Sequence, residues 1–183
     1  MHGAWQHFPN AVGCIDVTPY KIIVASDEPQ CQFYSGHRHV HLLNTQMLCD
    51  NRGHIRFLQA GFLGSTHDSQ SYRLMQPLGP GLALDVPTGE VFLADKGYPD
   101  NPPLLTPFRQ AQIRRMNCRD KRVARRFNRE LSRKRVKIEH VFKNLKDFKC
   151  TTEIWRHPRW LLPSVIELCT YLTERRLTLF EEV

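Results

Sequence analysis

The stretch from 125 to 148, RRFNRELSRKRVKIEHVFKNLKDF, constrains the fold of this chain more than any other. Phe127, Leu131, Ile138, Phe142 and Leu145 recur at intervals of three, four or seven, which lines one face of a long α-helix with apolar side chains. That face must pack on another layer. Arg126, Arg129, Arg133, Lys134, Lys137, Lys143 and Lys146 crowd the remaining surface, and a single carboxylate, Glu139, sits next to Ile138 among them. Two explanations of Glu139 are open. In one it forms i,i+4 ion pairs with Arg135 and Lys143, each contributing a few tenths of a kcal/mol. In the other it points off the flank of the apolar stripe into a site where further carboxylates hold a metal.

A chain of 183 residues suits one domain with a proper core. Its formal charge of +8 is unevenly placed, because residues 109–149 hold 16 of the 26 Lys and Arg against four acids. The remainder is net acidic. A basic block on an otherwise acidic domain suits a polyanion-binding surface, and it equally suits a solvated helix face. No run of 18 apolar residues occurs and the N-terminus lacks signal-peptide form, so no membrane association is expected. Six scattered cysteines without a C-x-x-C spacing predict reduced thiols rather than a zinc site or a disulfide framework. Basic runs such as RRMNCRDKRVARR suit nuclear import, and a nuclear location is the expectation.

Taken in order, GCIDVTPYKIIVAS reads as two short extended stretches joined by a kink at Pro19, with Asp16 between Ile15 and Val17 inside the first. Residues 26–36 read as a loop. HRHVHLLNTQMLCD then forms a strand that turns at 50–53 into HIRFLQAGFLG, which completes an antiparallel meander. In GSTHDSQSYRLMQPLG a short helix is predicted, ending near 77–81, with Ser65, Thr66 or Asp68 as its N-cap; a Pro- and Gly-rich connector over 77–89 follows. Val91, Phe92 and Leu93 form the continuous apolar run of a central strand, with Asp95 at its C-terminal edge. Residues 100–120, with three prolines, read as a looping crossover. After the long helix, Leu161, Val165, Leu168 and Leu172 predict a C-terminal helix starting near Pro163. Strands first and helices later, around a buried central strand, give an α/β domain with a mixed sheet covered by helices.

Four carboxylates stand out on this outline: Asp16 in the first strand, Asp68 at a helix start, Asp95 at the end of the central strand and Glu139 on the long helix. If the first and central strands are neighbours, a helix packed across the sheet brings Glu139 over their ends. Carboxylates so gathered repel one another unless a divalent cation sits among them, and hard oxygen ligands suit Mg²⁺ or Mn²⁺. Asp68 is as well explained as an N-cap and Asp95 as a turn former.

The strings CIDVT, HLLNTQMLCDNRGHI, AGFLGSTHDS, FLADKGYP, LLTPFR and FNRELSRKRVKIEHVFKNLK carry a resemblance. Their order, and the joint presence of G-S-x-H-D, D-x-G-Y-P and F-N-x-x-x-S-x-x-R-x-x-I/V-E-x-x-F, resembles the DDE-type endonuclease domain of PIF/Harbinger transposases and of the animal nucleases derived from them. The likeness covers residues 12–172 and leaves 1–11 and 173–183 as flanking segments. It implies a ribonuclease H-like fold and a nuclease that cleaves DNA phosphodiesters with Mg²⁺ or Mn²⁺. It further implies metal-bound carboxylates at Asp16, Asp95 and Glu139, with Asp68 in or beside the metal site. Arg126, Arg129, Arg133, Lys134 and Lys137 are then the candidate DNA-contacting residues, and a separate DNA-binding protein is a candidate partner. Departures from the pattern are Val17, Pro19, Lys96 and the segment CTYLTE, where an LHN string is expected. Relatives usually carry a helical DNA-binding segment ahead of the first catalytic strand, so a truncated, partial or domesticated copy is also expected. These features keep a second reading in play, a transposase-derived DNA- or protein-binding module that no longer cleaves.

His37, His39 and His41 are expected to share one face of a strand as ordinary sheet surface, and His67 to stand beside Asp68. Tyr34, Phe57, Phe92 and Trp160 are expected in the core. Arg109, Arg114, Arg115 and Arg119 are expected in a loop, where they suit phosphate contacts or plain solvation.

Overall fold

A computed structural model describes residues 5–24, 26–75 and 88–181. The helix expected to end near 77–81 stops earlier, at Arg73 with Leu74 as its C-cap, and most of the connector expected over 77–89 lies outside the described residues. The sheet is built on β1 (Ala11–Lys21), flanked on one side by antiparallel β3 (Val40–Cys49) and on the other by parallel β5 (Val91–Leu93). β4 (Ile55–Leu63) pairs antiparallel with β3, β2 (Tyr34–Ser35) pairs with the start of β3, and β6 (Leu104–Leu105) extends β5 in parallel. This is the mixed, helix-flanked α/β sheet that the sequence predicts, consistent with a ribonuclease H-like architecture.

The β3–β4 turn forms where the sequence places it. Asp50 Oδ1 accepts the backbone N–H groups of Arg52, Gly53 and His54 at 2.9–3.0 Å, while the Arg56 guanidinium donates to Oδ2. Gly53 has φ 97°, a conformation a side chain resists. Expectation and structure part at Pro19, where β1 runs straight through as one strand. The reason is an open edge: β5 pairs only with Ala11–Cys14 and Trp155 joins that side only at Lys21, so between them one side of β1 has no ladder for a proline to interrupt.

Alternation along β1 divides the core. Cys14 and Tyr20 face the layer made by α4 (Cys118–Leu145) and α6 (Leu161–Glu181), against Leu131, Ile138, Leu145, Leu162 and Ile166. Val12 and Ile15 face the other way, onto Leu48, Phe57, Phe92 and Tyr98, with Tyr72 of α2 (Asp68–Arg73) packed against them. Burying Leu131, Ile138 and Leu145 stabilises the fold by about 1.5–3 kcal/mol each, far more than any surface ion pair on α4, so packing sets which side of that helix meets the sheet.

α4 begins earlier than periodicity alone suggested, because Asn117 caps it by accepting the N–H of Asp120 at 2.9 Å. The crossover before it holds β6 and a short helix, α3 (Gln110–Arg115), rather than loop alone; this puts Arg114 and Arg115 on a helix and Arg119 on α4. Residues 26–36 likewise contain a helical turn, α1 (Gln30–Phe33), and a further turn, α5 (Lys149–Thr152), follows α4. α6 starts two positions before Pro163 and buries Leu162, Ile166 and Cys169, whereas Leu168 and Leu172 are exposed. The expected stripe was rotated because Thr170 and Thr173, buried with their hydroxyls donated to Ile166 O and Cys169 O, replace the apolar markers on the inner face. Glu174 anchors this helix to β4 by accepting the Ile55 N–H at 2.6 Å.

Trp160 and Tyr34 are exposed, contrary to the expectation that they are core. His37 and His39 sit in the turn between β2 and β3, and only His41 is on a strand, so the three do not share a strand face. All six cysteines are free. No helix among the described residues is long and apolar enough to cross a membrane.

Candidate active site

Parallel register brings the first two carboxylates abreast. Cys14 of β1 pairs with Leu93 of β5, the strands run the same way, and two residues further on come Asp16 and Asp95. Both therefore stand at the carboxyl end of the paired β1–β5 stretch, the side on which open α/β sheets hold their ligands. Asp16 is largely buried, and its Oδ1 accepts the Val17 N–H at 2.9 Å. Asp95 is half-buried, and its Oδ1 accepts the Lys96 N–H at 2.6 Å.

Asp68 is the first residue of α2, and the residue in the cap position is His67 with no side-chain capping bond. The Asp68 carboxyl lies instead against the Asp95–Tyr98 turn. A Cβ at Gly97 would stand 3.0 Å from Asp68 Oδ2, so glycine leaves room there for the carboxylate.

The cation among these acids belongs to the protein. Arg135 reaches from α4, its Nη2 donating to Asp16 Oδ2 at 2.8 Å and its Nη1 lying 3.6 Å from Asp95 Oδ1. Its Nε is buried without a partner among the described residues. One guanidinium does not satisfy three carboxylates. Burial raises the Asp16 pKa to about 6, helped by the charges of Asp68 and Asp95 and opposed by Arg135 and the Val17 N–H. Asp68 is raised as well, by burial and then by Asp95, against the pull of Arg38, His67 and Arg135. The Tyr98 hydroxyl is buried without a hydrogen-bond partner among the described residues, and burial together with the same acids raises its pKa well above the phenol range.

Glu139 is exposed on α4, one turn beyond Arg135, and makes no ion pair among the described residues. The structure thus gathers Asp16, Asp68 and Asp95 around Arg135 and leaves Glu139 outside that contact. Among the described residues no three His, Cys, Asp or Glu lie close enough to hold a metal ion. In kind, however, the donors fit a hard divalent cation: they are carboxylate oxygens, crowded, and short of positive charge.

The basic stripe points elsewhere. At about 100° per residue, Arg126, Arg129 and Arg133 fall on the side of α4 away from Leu131 and Ile138, and Glu130 lies 3.0 Å from Arg133 and 4.0 Å from Arg129. Lys134 and Lys137 flank Asn51 and His140 on another side. Nearer the acids stand cations that the sequence did not single out for this role. Arg38 acts on Asp68 from the β2–β3 turn, and Arg109 donates to Lys96 O at 3.4 Å. Arg135 had a signal in the R-x-x-I/V-E spacing, whereas Arg38 had none.

A family model described as DDE superfamily endonuclease matches residues 15–174. No curated protein and no solved structure gives a significant match. With that model spanning almost the whole chain and with Asp16, Asp68 and Asp95 brought together inside it, the chain belongs to the DDE superfamily endonuclease family.

Proposed function

We propose that this protein is a divalent-metal-dependent nuclease of transposase descent, of the PIF/Harbinger type, that hydrolyses phosphodiester bonds in DNA. The observation that carries the reading is the placement of Asp16 and Asp95 abreast, just past the paired stretch of two neighbouring parallel strands, sharing one cation. Asp16, Asp68, Asp95 and Glu139 are the residues that would hold Mg²⁺ or Mn²⁺. A cation there supplies a Lewis acid for the phosphate and lowers the pKa of the attacking water. In hydrolysis the water oxygen bonds to phosphorus, the ester P–O bond breaks, and the leaving oxygen takes up a proton. The chain's own part is to orient: Arg135, a planar five-donor group, suits phosphate oxygens as well as it suits Asp16. Action in the nucleus, and a separate DNA-binding partner that supplies target recognition, belong to the same proposal.

Nicking of supercoiled plasmid tests it. Wild type with Mn²⁺ should nick, and Asp16→Asn, Asp95→Asn and Glu139→Gln should not, because a neutral amide is a poor ligand for a hard cation. Nicking by Asp95→Asn at the wild-type rate would defeat the proposal. A second reading, a binding module that no longer cleaves, is favoured by one observation: Arg135, and not Glu139, is the α4 residue that touches the acids. Under that reading wild type binds DNA and nicks none.

A further inference from the structure

Past Cys14 β5 no longer covers β1, and the strand runs on from Asp16 to Lys21, whose carbonyl accepts the Trp155 N–H. A cavity of about 450 Å³ opens beyond it over the β1–β3 pair, lined by Pro19 and Lys21 of β1, Val40 and Leu42 of β3, Arg38 of the β2–β3 turn, Lys146 at the end of α4, and Thr151 and Thr152 of α5. Its charged lining is wholly cationic. Lys21, Arg38 and Lys146 make no ion pair among the described residues, which sets them apart from Arg129 and Arg133 with Glu130 beside them. The threonine hydroxyls donate inward, Thr151 to Leu145 O and Phe148 O and Thr152 to Lys149 O, so an anion here would be held by the three cations. Those cations also crowd one another: burial and the charge of Arg38 lower the Lys146 pKa. Arg38 acts on Asp68 on its other side, which ties the cavity to the acid cluster.

We propose that this cavity seats a backbone phosphate of the DNA strand whose scissile phosphodiester lies at Asp16 and Asp95. At a rise of roughly 3.3 Å per strand residue, Pro19 and Lys21 stand roughly 10 and 17 Å along β1 from Asp16. That span is about three to five base steps of B-DNA at about 3.4 Å each. The DNA strand then runs from the acids past Arg38 towards Lys146 at the end of α4, and away from the Arg126, Arg129 and Arg133 side of that helix. The identity of the anion's carrier rests on the nuclease reading; the need for an anion rests on the cavity.

Fluorescence anisotropy of a short labelled duplex, titrated in EDTA at a series of salt concentrations, tests the contact without any metal. The Lys21→Ala/Lys146→Ala variant should lower the slope of log affinity against log salt by about 0.9, the share of the one phosphate the cavity seats, whatever the duplex sequence. Should that variant lose its circular dichroism, Lys21→Met/Lys146→Met keeps the aliphatic stems and takes the same measurement. An unchanged slope in a folded variant overturns the proposal. So does a result in which inorganic phosphate raises the melting temperature of wild type but not of the variant while the duplex slope stays put, because the cavity would then serve a free anion. A Mn²⁺ titration separates this from the nuclease reading: a silent wild type with the slope loss intact sinks the nuclease and keeps the phosphate contact.

Discussion

Arg135 and Asp16 carry opposite shares of one electrostatic problem, and each gives a prediction. Asp16 has its pKa raised to about 6, so between its unfolded value near 4 and about 6 the folded state binds more protons than the unfolded one. Metal-free protein should therefore lose stability as pH rises through that window, and Asp16→Asn should remove this fall. Urea midpoints from pH 4 to 7 in EDTA check it; equal pH profiles for the two proteins would contradict it. Replacing Arg135 by Gln strips the acids of their cation. The metal-free protein should lose about 1.5–3 kcal/mol, the worth of a charged hydrogen bond, while the stabilisation it gains from Mn²⁺ should increase. At this scale the sequence was legible where spacing along one element decides a position. Asp16 and Asp95 flank apolar strand runs, and register does the rest. It was illegible where a long side chain crosses between layers: Arg135 and Glu139 are one turn apart on α4, and only the packing of α4 on β1 shows which of them meets Asp16. Lys96 looked like a cation beside the metal site; its part in the described contacts is through its backbone, donating to Asp95 and accepting from Arg109.

Among the elements, α4 was the most readable because Leu131, Ile138 and Leu145 repeat at seven and are all fully buried. Leu131→Ala or Ile138→Ala should cost about 2–5 kcal/mol in equilibrium unfolding, whereas Val123→Ala on the exposed side should cost under about 0.5 kcal/mol. A comparable loss at Val123 would place the helix face wrongly. The F-N pair of the matched pattern also finds a structural reason. Phe127 meets Phe8 and Phe108 edge-on, and Asn128 brackets Phe108 by donating to its carbonyl and accepting its N–H, both at 2.9 Å. α6 was misread by one position because its inner face contains Thr170 and Thr173, which bury their hydroxyls on the preceding turn and carry no apolar signal. Pro19 was misread because an open strand edge is a property of the sheet and not of the strand.

For the molecule as a whole, charge and chemistry lie on different sides of α4. The Arg126, Arg129 and Arg133 stripe was legible as a basic block, but sequence composition has no direction, and the acids turned out to face the opposite flank with Arg38, Arg109 and Arg135. Replacing the three stripe arginines by Ala should lower the salt slope of duplex binding by less than the roughly 2.7 expected for three phosphate contacts, since Glu130 already engages Arg129 and Arg133. A full drop of that size would make the stripe the principal DNA track. The central claim, that Asp16 and Asp95 form a centre for a hard divalent cation, is tested most directly by calorimetric titration of Mn²⁺ into metal-free wild type and Asp95→Asn. The account predicts saturable binding to wild type, weakened at least about tenfold in a variant that remains folded. A wild type that takes up no Mn²⁺, or an Asp95→Asn protein that binds it equally well, would contradict it.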